Sequence, residues 1–239
     1  MSAPEEGETP KRELDAPGCV EDLYYTRGED VDELRPICQG DVYRGLQMPG
    51  FDEDELLILI GHPCSLRKGA ALRPRLQASP IRAYEKVPLR KWTGHGRVLP
   101  LPELVEGSHV AADLTETGVV QSADLPGTTR VATLSKSGIL FLQQRIIYTL
   151  AHAVVGLDTL EEFNALALDE IELLEGWNEA LCGHLSDAEL HTALGDTANR
   201  FEEFMKPGPR ARLAEAATRG EARTMILAEA RRLRVESAT

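Results

Sequence analysis

Three stretches decide the fold: QGDVYRGL at residues 39–46, LLILIGHPCSLRKG at residues 56–69 and LRPRLQASPI at residues 72–81. Leu56, Leu57, Ile58, Leu59 and Ile60 form an unbroken branched apolar run, the pattern of a strand buried on both faces. The run ends abruptly in Gly61, His62, Pro63, Cys64, Ser65, Leu66, Arg67 and Lys68. A buried strand that releases imidazole, thiol, hydroxyl and guanidinium groups at one end presents chemistry on a rigid edge.

Working outward, short β segments are expected at 41–47, 56–61, 74–83, 97–101, 108–114, 118–122 and 129–134. They are punctuated by Pro49-Gly50, Thr93-Gly94 and Pro126-Gly127. Strands this short and frequent suggest a small barrel, an arrangement without exposed sheet edges. After Leu134 the period changes. Ile139, Leu142, Ile146, Leu150 and Val154 recur at helical spacing behind the capping candidates Ser135 and Ser137, and Gly156 ends the run. A second helix is expected from Asp158 or Thr159 to about Leu181, with Leu160, Phe163, Leu166, Ile171 and Leu174 on its apolar side. A third starts at the capping box of Ser186 and Glu189 and reaches Lys206, and a fourth covers 209–234 after the break Pro207-Gly208-Pro209. The expected organisation is a partly disordered acidic leader over 1–35, its disorder reaching about residue 17. A barrel with its closing helix follows over 36–155, then a helical extension over 156–239. Residues 18–36 are open between a short helix and an extended arm.

With 42% hydrophobic but only 5% aromatic residues, the core must be built mainly from Leu, Ile, Val and Ala. No apolar stretch is long enough to span a bilayer and the N-terminus is acidic and polar, so a cytoplasmic protein without a membrane partner is expected. The four cysteines, Cys19, Cys38, Cys64 and Cys182, are scattered, which points to reduced thiols and away from a zinc site. The net charge of −13 argues against a simple nucleic-acid binder. Its distribution argues the other way. Residues 1–35 carry eleven acids against four bases, whereas between Arg67 and Arg97 nine cations face only Glu85. Such a zone is either a patch for phosphate or an acidic partner, or a solvated surface paired with acidic neighbours.

Gln39-Gly40-Asp41-Val42 resembles the Arg-Gly-Asp opening strand of the MazF/PemK toxin family, with Gln at the Arg position. SHVAAD at 108–113, TGVV at 117–120, the turn LPG at 125–127 and TTRVATL at 128–134, followed by Ser135 and an apolar helix, are similar to the end of that family's barrel. The resemblance covers about 39–155. It implies an SH3-like barrel followed here by a helical bundle (an α+β chain), homodimerisation, and cleavage of single-stranded RNA without a metal or cofactor. The family places an arginine near the start of its second strand, whereas the loop at 50–55 here is GFDEDE. That departure supports an alternative, a non-catalytic scaffold or docking subunit in a larger assembly such as a defence or toxin–antitoxin complex.

Metal-free RNA cleavage needs a base, a cation for the phosphorane and an acid. His62 fits the base or acid, Arg67 the phosphate clamp, and Ser65 a positioning role. The bland reading leaves His62 capping the strand end and the cations in water. A Cys64 nucleophile paired with His62 is a sharper alternative, encouraged by the extended backbone that Pro63 imposes on His62. Lys68, Arg73, Arg75, Arg90 and Lys91 are candidate nucleic-acid contacts, with Trp92 as a base-stacking platform or, alternatively, a cover for the barrel. The acids Glu161, Glu162, Asp169, Glu170, Glu172 and Glu175 are expected on a solvated helix face. The segment Thr26 to Asp30 and the leader before it read as an acidic tail able to fold back on the basic zone.

Overall fold

Side-chain alternation in the run 56–60 feeds two separate cores from one strand. In the computed structural model, which describes residues 13–52, 55–206 and 208–237, Leu56, Ile58 and Ile60 enter one apolar cluster while Leu57 and Leu59 enter another. Successive residues of a strand face opposite sides, so an all-apolar run is stable only where both sheet faces are covered. Here α-helix covers one face, and short helical turns at Leu66 and Leu125, with Leu76 and Val120 from neighbouring strands of the curled sheet, cover the other.

The chain is α+β, 47% helical and 19% strand, with an antiparallel curled half-barrel followed by a helical region. In chain order the elements are β1 (Tyr24–Arg27), β2 (Val42–Arg44), β3 (Leu56–Leu59), α1 (Pro63–Leu66), β4 (Arg67–Lys68) and β5 (Ala71–Leu72). They continue with β6 (Arg75–Ala83), β7 (Val98–Pro100), β8 (Val110–Asp113), β9 (Gly118–Gln121) and β10 (Thr129–Leu134). The helices α2 (Lys136–Ala151), α3 (Leu157–Cys182), α4 (Asp187–Met205), α5 (Gly208–Ala214) and α6 (Arg219–Ser237) complete the chain. The main sheet runs β1-β10-β2-β3-β6-β8-β7, with β9 also on β6, and β4-β5 is a separate hairpin. The long β6 serves two partners along one edge, pairing Ile81–Ala83 with β8 and Arg75–Ala78 with β9. The ends of the curl are tied by side chains: the Tyr24 hydroxyl donates to the Pro102 carbonyl at 3.0 Å, and Arg27 pairs with Glu103 at 3.0 Å.

Two close approaches require glycine. At Gly40 φ is +88°, and a Cβ would lie 2.8 Å from the Leu134 side chain. At Gly138 a Cβ would fall 2.1 Å from the Leu23 carbonyl oxygen, so the first turn of α2 presses directly on the backbone that leads into β1. Ser135 caps that turn, accepting the Gly138 N–H at 2.9 Å and donating to the Asp22 carbonyl.

Several expectations need correction. Residues 18–36, open in the sequence between a short helix and an extended arm, contribute a paired strand, since β1 lies antiparallel to β10. Thr26 and Arg27 therefore belong to the sheet and not to a tail. Against the expected disorder to about residue 17, Leu14 is buried, and the Asp15 N–H donates to Gln144 Oε1 at 2.7 Å. Residues 1–12 lie outside the described residues, as does that part of the fold-back idea. α2 ends at Ala151 with His152 in the left-handed region, before Gly156, and leaves Leu150 exposed. The expected fourth helix is two, α5 and α6, because Leu213 and Ala222 both reach the bundle core and the chain must bend between them.

α3 is the central element. Leu168 joins the barrel core, whereas Leu173, Leu174 and Trp177 join the bundle core with Phe201, Met205 and Ile226. Glu161 and Glu162 are solvated as expected, but contact on both sides takes Asp169 and Glu175 out of that row. Asp169 and Glu175 are buried; Glu175 pairs with Arg35 at 2.7 Å, and Arg223 reaches Asp169 at 2.5 Å and Glu172 at 3.0 Å. Phe163, expected on the apolar side, is exposed, while the buried Asn164 exchanges hydrogen bonds with Gln143, which donates to Gln39.

Candidate functional site

A proline fixes φ and favours the first turn of a helix, and Pro63 starts one here. His62 is the N-cap of α1, its Nδ1 accepting the Cys64 N–H at 3.2 Å. The Ser65 hydroxyl donates to the His62 carbonyl at 2.7 Å. The reactive-looking cluster is thus a single tight turn in which His62 Nδ1 and the Ser65 hydroxyl bond locally, His62 capping a helix and not the strand end. His62, Cys64 and Ser65 are all exposed. Cys64 lacks the electropositive setting that activates a thiol: partial burial, and then the charge of Glu170, push its pKa up.

Arg67 goes elsewhere. It turns inward under the β4-β5 hairpin, where Nη1 donates to the Ala70 carbonyl at 2.9 Å and Nη2 to the Ile37 carbonyl at 3.5 Å. Burial pulls its pKa down, while Cys38, Asp41 and Tyr43 pull it back up. It lines a cavity of about 330 Å³ at the seam between barrel and bundle, bounded by residues 36–38, α1, α3 and α4. Across that cavity Arg210 holds Glu170 at 2.8 Å and Glu202 at 2.7 Å. The bonds from Arg210, and then from Lys206, pull Glu202 down to about 2. A sequence reading could not have found this seam, because its residues come from positions 36 to 210 and share no motif.

The remaining cations do not form the continuous patch their sequence order suggested. Lys68, Arg73 and Arg75 are exposed around the hairpin and the start of β6, whereas Arg90 and Lys91 are exposed beyond its far end. β6 is nine residues long, about 26 Å at ~3.3 Å per residue, and the two groups lie at or beyond its opposite ends in sequence. None of these five has an acidic partner among the described residues, in contrast to Arg82, which meets Glu55 and Glu116. Trp92 is not a stacking platform. It is 0% exposed, its Nε1 donates to the Val87 carbonyl at 3.2 Å, and the guanidinium of Arg145 lies 5.4 Å from its ring. The covering role is the correct one, for a short 3₁₀ turn folds the indole inward between the sheet and α2.

Asp41 of the QGDV opening is buried, and Oδ2 accepts from the Cys38 N–H at 3.0 Å and from Arg130 at 3.1 Å. The motif that carries the toxin-family resemblance therefore anchors the sheet. Among the described residues no group of three His, Cys, Asp or Glu side chains is gathered as a metal site, and no helix is long and apolar enough to cross a membrane. In comparisons with known proteins, no family model and no curated protein matches the chain.

Proposed function

We propose that this chain is a non-catalytic docking subunit, in which an SH3-like half-barrel supports a helical surface that engages a protein partner. One observation carries this reading: the base and hydroxyl needed for metal-free RNA cleavage stand at an exposed turn while the cation turns into the seam cavity. A phosphorane needs its base and cation on one reacting group, and here Arg67 turns under the hairpin while His62 remains at the surface. The helices contribute exposed apolar side chains at Leu150, Phe163 and Val235, the residue type that protein interfaces use. Co-expression with the proteins encoded beside it tests the reading. A stable stoichiometric complex that Phe163→Asp or Leu150→Asp weakens at least tenfold supports it, and no complex with any neighbour contradicts it.

A second reading, RNA binding without cleavage, is favoured by the five exposed cations that lack acidic partners. Binding of labelled single-stranded RNA would then fall steeply with salt, and Arg73→Gln with Arg75→Gln would reduce the slope.

A further inference from the structure

Arg35, Arg130 and Arg145 are held out of solvent and compensated internally. Arg35 meets Glu175 at 2.7 Å and Arg130 meets Asp41 at 3.1 Å. Arg145 is spread over the Trp92 ring and the carbonyls of Asp15, Trp92 and Phe141. Arg67 differs from Arg35 and Arg130 in lacking a carboxylate, and from Arg145 in being only partly buried. It has no carboxylate within ion-pair distance among the described residues, and only two of its N–H donors are engaged, both by neutral carbonyls. The Nε atoms of Arg35 and Arg145 are sealed without partners, whereas no nitrogen of Arg67 is sealed in that way. Its spare donors are accessible, and Arg67 lines the seam cavity.

The rest of the cavity wall defines what would complement that cation. Ile37, Leu66, Leu166, Ile171, Leu174 and Phe201 make it apolar. The carboxylates on the far wall, Glu170 and Glu202, are held in a two-sided clamp by Arg210, and Lys206 adds a further 3.0 Å contact to Glu202. They are therefore neutralised in place and do not serve Arg67. A guanidinium in an apolar setting gains most from a planar carboxylate that accepts two parallel N–H bonds. One unpaired cation matches a single negative charge; a phosphate dianion would bring a second charge towards Glu170 and Glu202. At about 330 Å³ the cavity lies near the lower end of the ~300–1,000 Å³ typical of small-molecule sites.

We infer that this cavity is a binding site for a small organic carboxylate with an aromatic or branched apolar body, the carboxylate resting on Arg67 and the body between α3 and the hairpin. The cavity shares Phe163 with the proposed docking surface, but the carboxylate seat on Arg67 does not depend on that surface. The test is calorimetric titration of the full chain with 3-phenylpropionate and with its neutral counterpart 3-phenylpropan-1-ol. Saturable one-to-one binding of the acid, at least tenfold tighter than the alcohol and at least tenfold weakened in Arg67→Gln, is the expected result. Ala167→Trp fills the cavity from α3 without touching the cation and is expected to abolish binding with an unchanged circular dichroism spectrum. This variant keeps the proposal testable if Arg67→Gln fails to fold. Absence of saturable binding by the acid, equal affinity for the alcohol, or wild-type affinity in either folded variant overturns the assignment.

Discussion

Asp41 Oδ2 lies 3.1 Å from Arg130 Nη1, with the two side chains only 1% and 9% exposed. Arg130 also donates to the carbonyls of Asp32 and Arg35, so one guanidinium fastens the loop before β2 to β10. Removing one partner of a buried pair strands the other charge, at a cost of about 3–5 kcal/mol. Asp41→Ala and Arg130→Met are each expected to lower the urea midpoint accordingly. The double variant Asp41→Leu with Arg130→Met should cost much less than the sum, because no charge is left uncompensated.

Trp92 distinguishes a core role from a binding role. Truncating a fully buried aromatic costs about 3–5 kcal/mol, whereas a surface substitution stays within about 0.5 kcal/mol. Thermal unfolding of Trp92→Ala should show the larger loss, and Trp92→Phe a smaller one. A wild-type melting temperature for Trp92→Ala would put the indole at the surface.

The legible and illegible parts of this chain separate by the range of the interactions involved. The run 56–60, the Ser135 cap and the Ser186–Glu189 capping box are local signals, and each forms the element it specified. The strands at 75–83 and 129–134 follow from their branched residues and bounding turns. What failed was the environment of polar residues. Asp169 and Glu175 look like solvated helix acids until Arg223 and Arg35, 54 and 140 residues away, are brought against them. Trp92, flanked by Lys91 and Arg90, looks exposed because the buried Arg145 beneath it is invisible locally. Arg67 was singled out in the sequence, but its inward direction is set by the two-residue strands β4 and β5, too short to carry a periodic pattern.

Glu202 makes part of the bundle acid-sensitive. Its hydrogen bonds to Arg210 depress its pKa from 4.5 to about 2. A carboxylate lowered in the folded state contributes stability that is fully present above about 4.5 and is lost as pH falls towards about 2. With a partly exposed Arg210 partner, screening reduces the contribution to roughly 1–2 kcal/mol. Helical signal followed against pH should therefore decline across that window in a mildly destabilised background. Glu202→Gln should be less stable at neutral pH and should flatten the profile.

Cys64 is accessible, yet its thiol is raised by partial burial and by Glu170. In a Cys19→Ser background, alkylation by iodoacetamide at neutral pH should run slower than for an unperturbed cysteine. Glu170→Gln should quicken it. Faster-than-reference alkylation would show an activated thiolate and revive Cys64 as a nucleophile.

The imidazole and hydroxyl of His62 and Ser65 stand at an exposed turn while the Arg67 guanidinium turns into the seam, so the three groups are not assembled to cleave RNA. Incubating the purified chain with a pool of labelled single-stranded RNA in chelator tests it most directly. The expected result is RNA of unchanged length, with the wild type and the His62→Ala, Arg67→Gln double variant indistinguishable from buffer. Cleavage by the wild type that this double variant abolishes, while retaining its fold, would contradict the account.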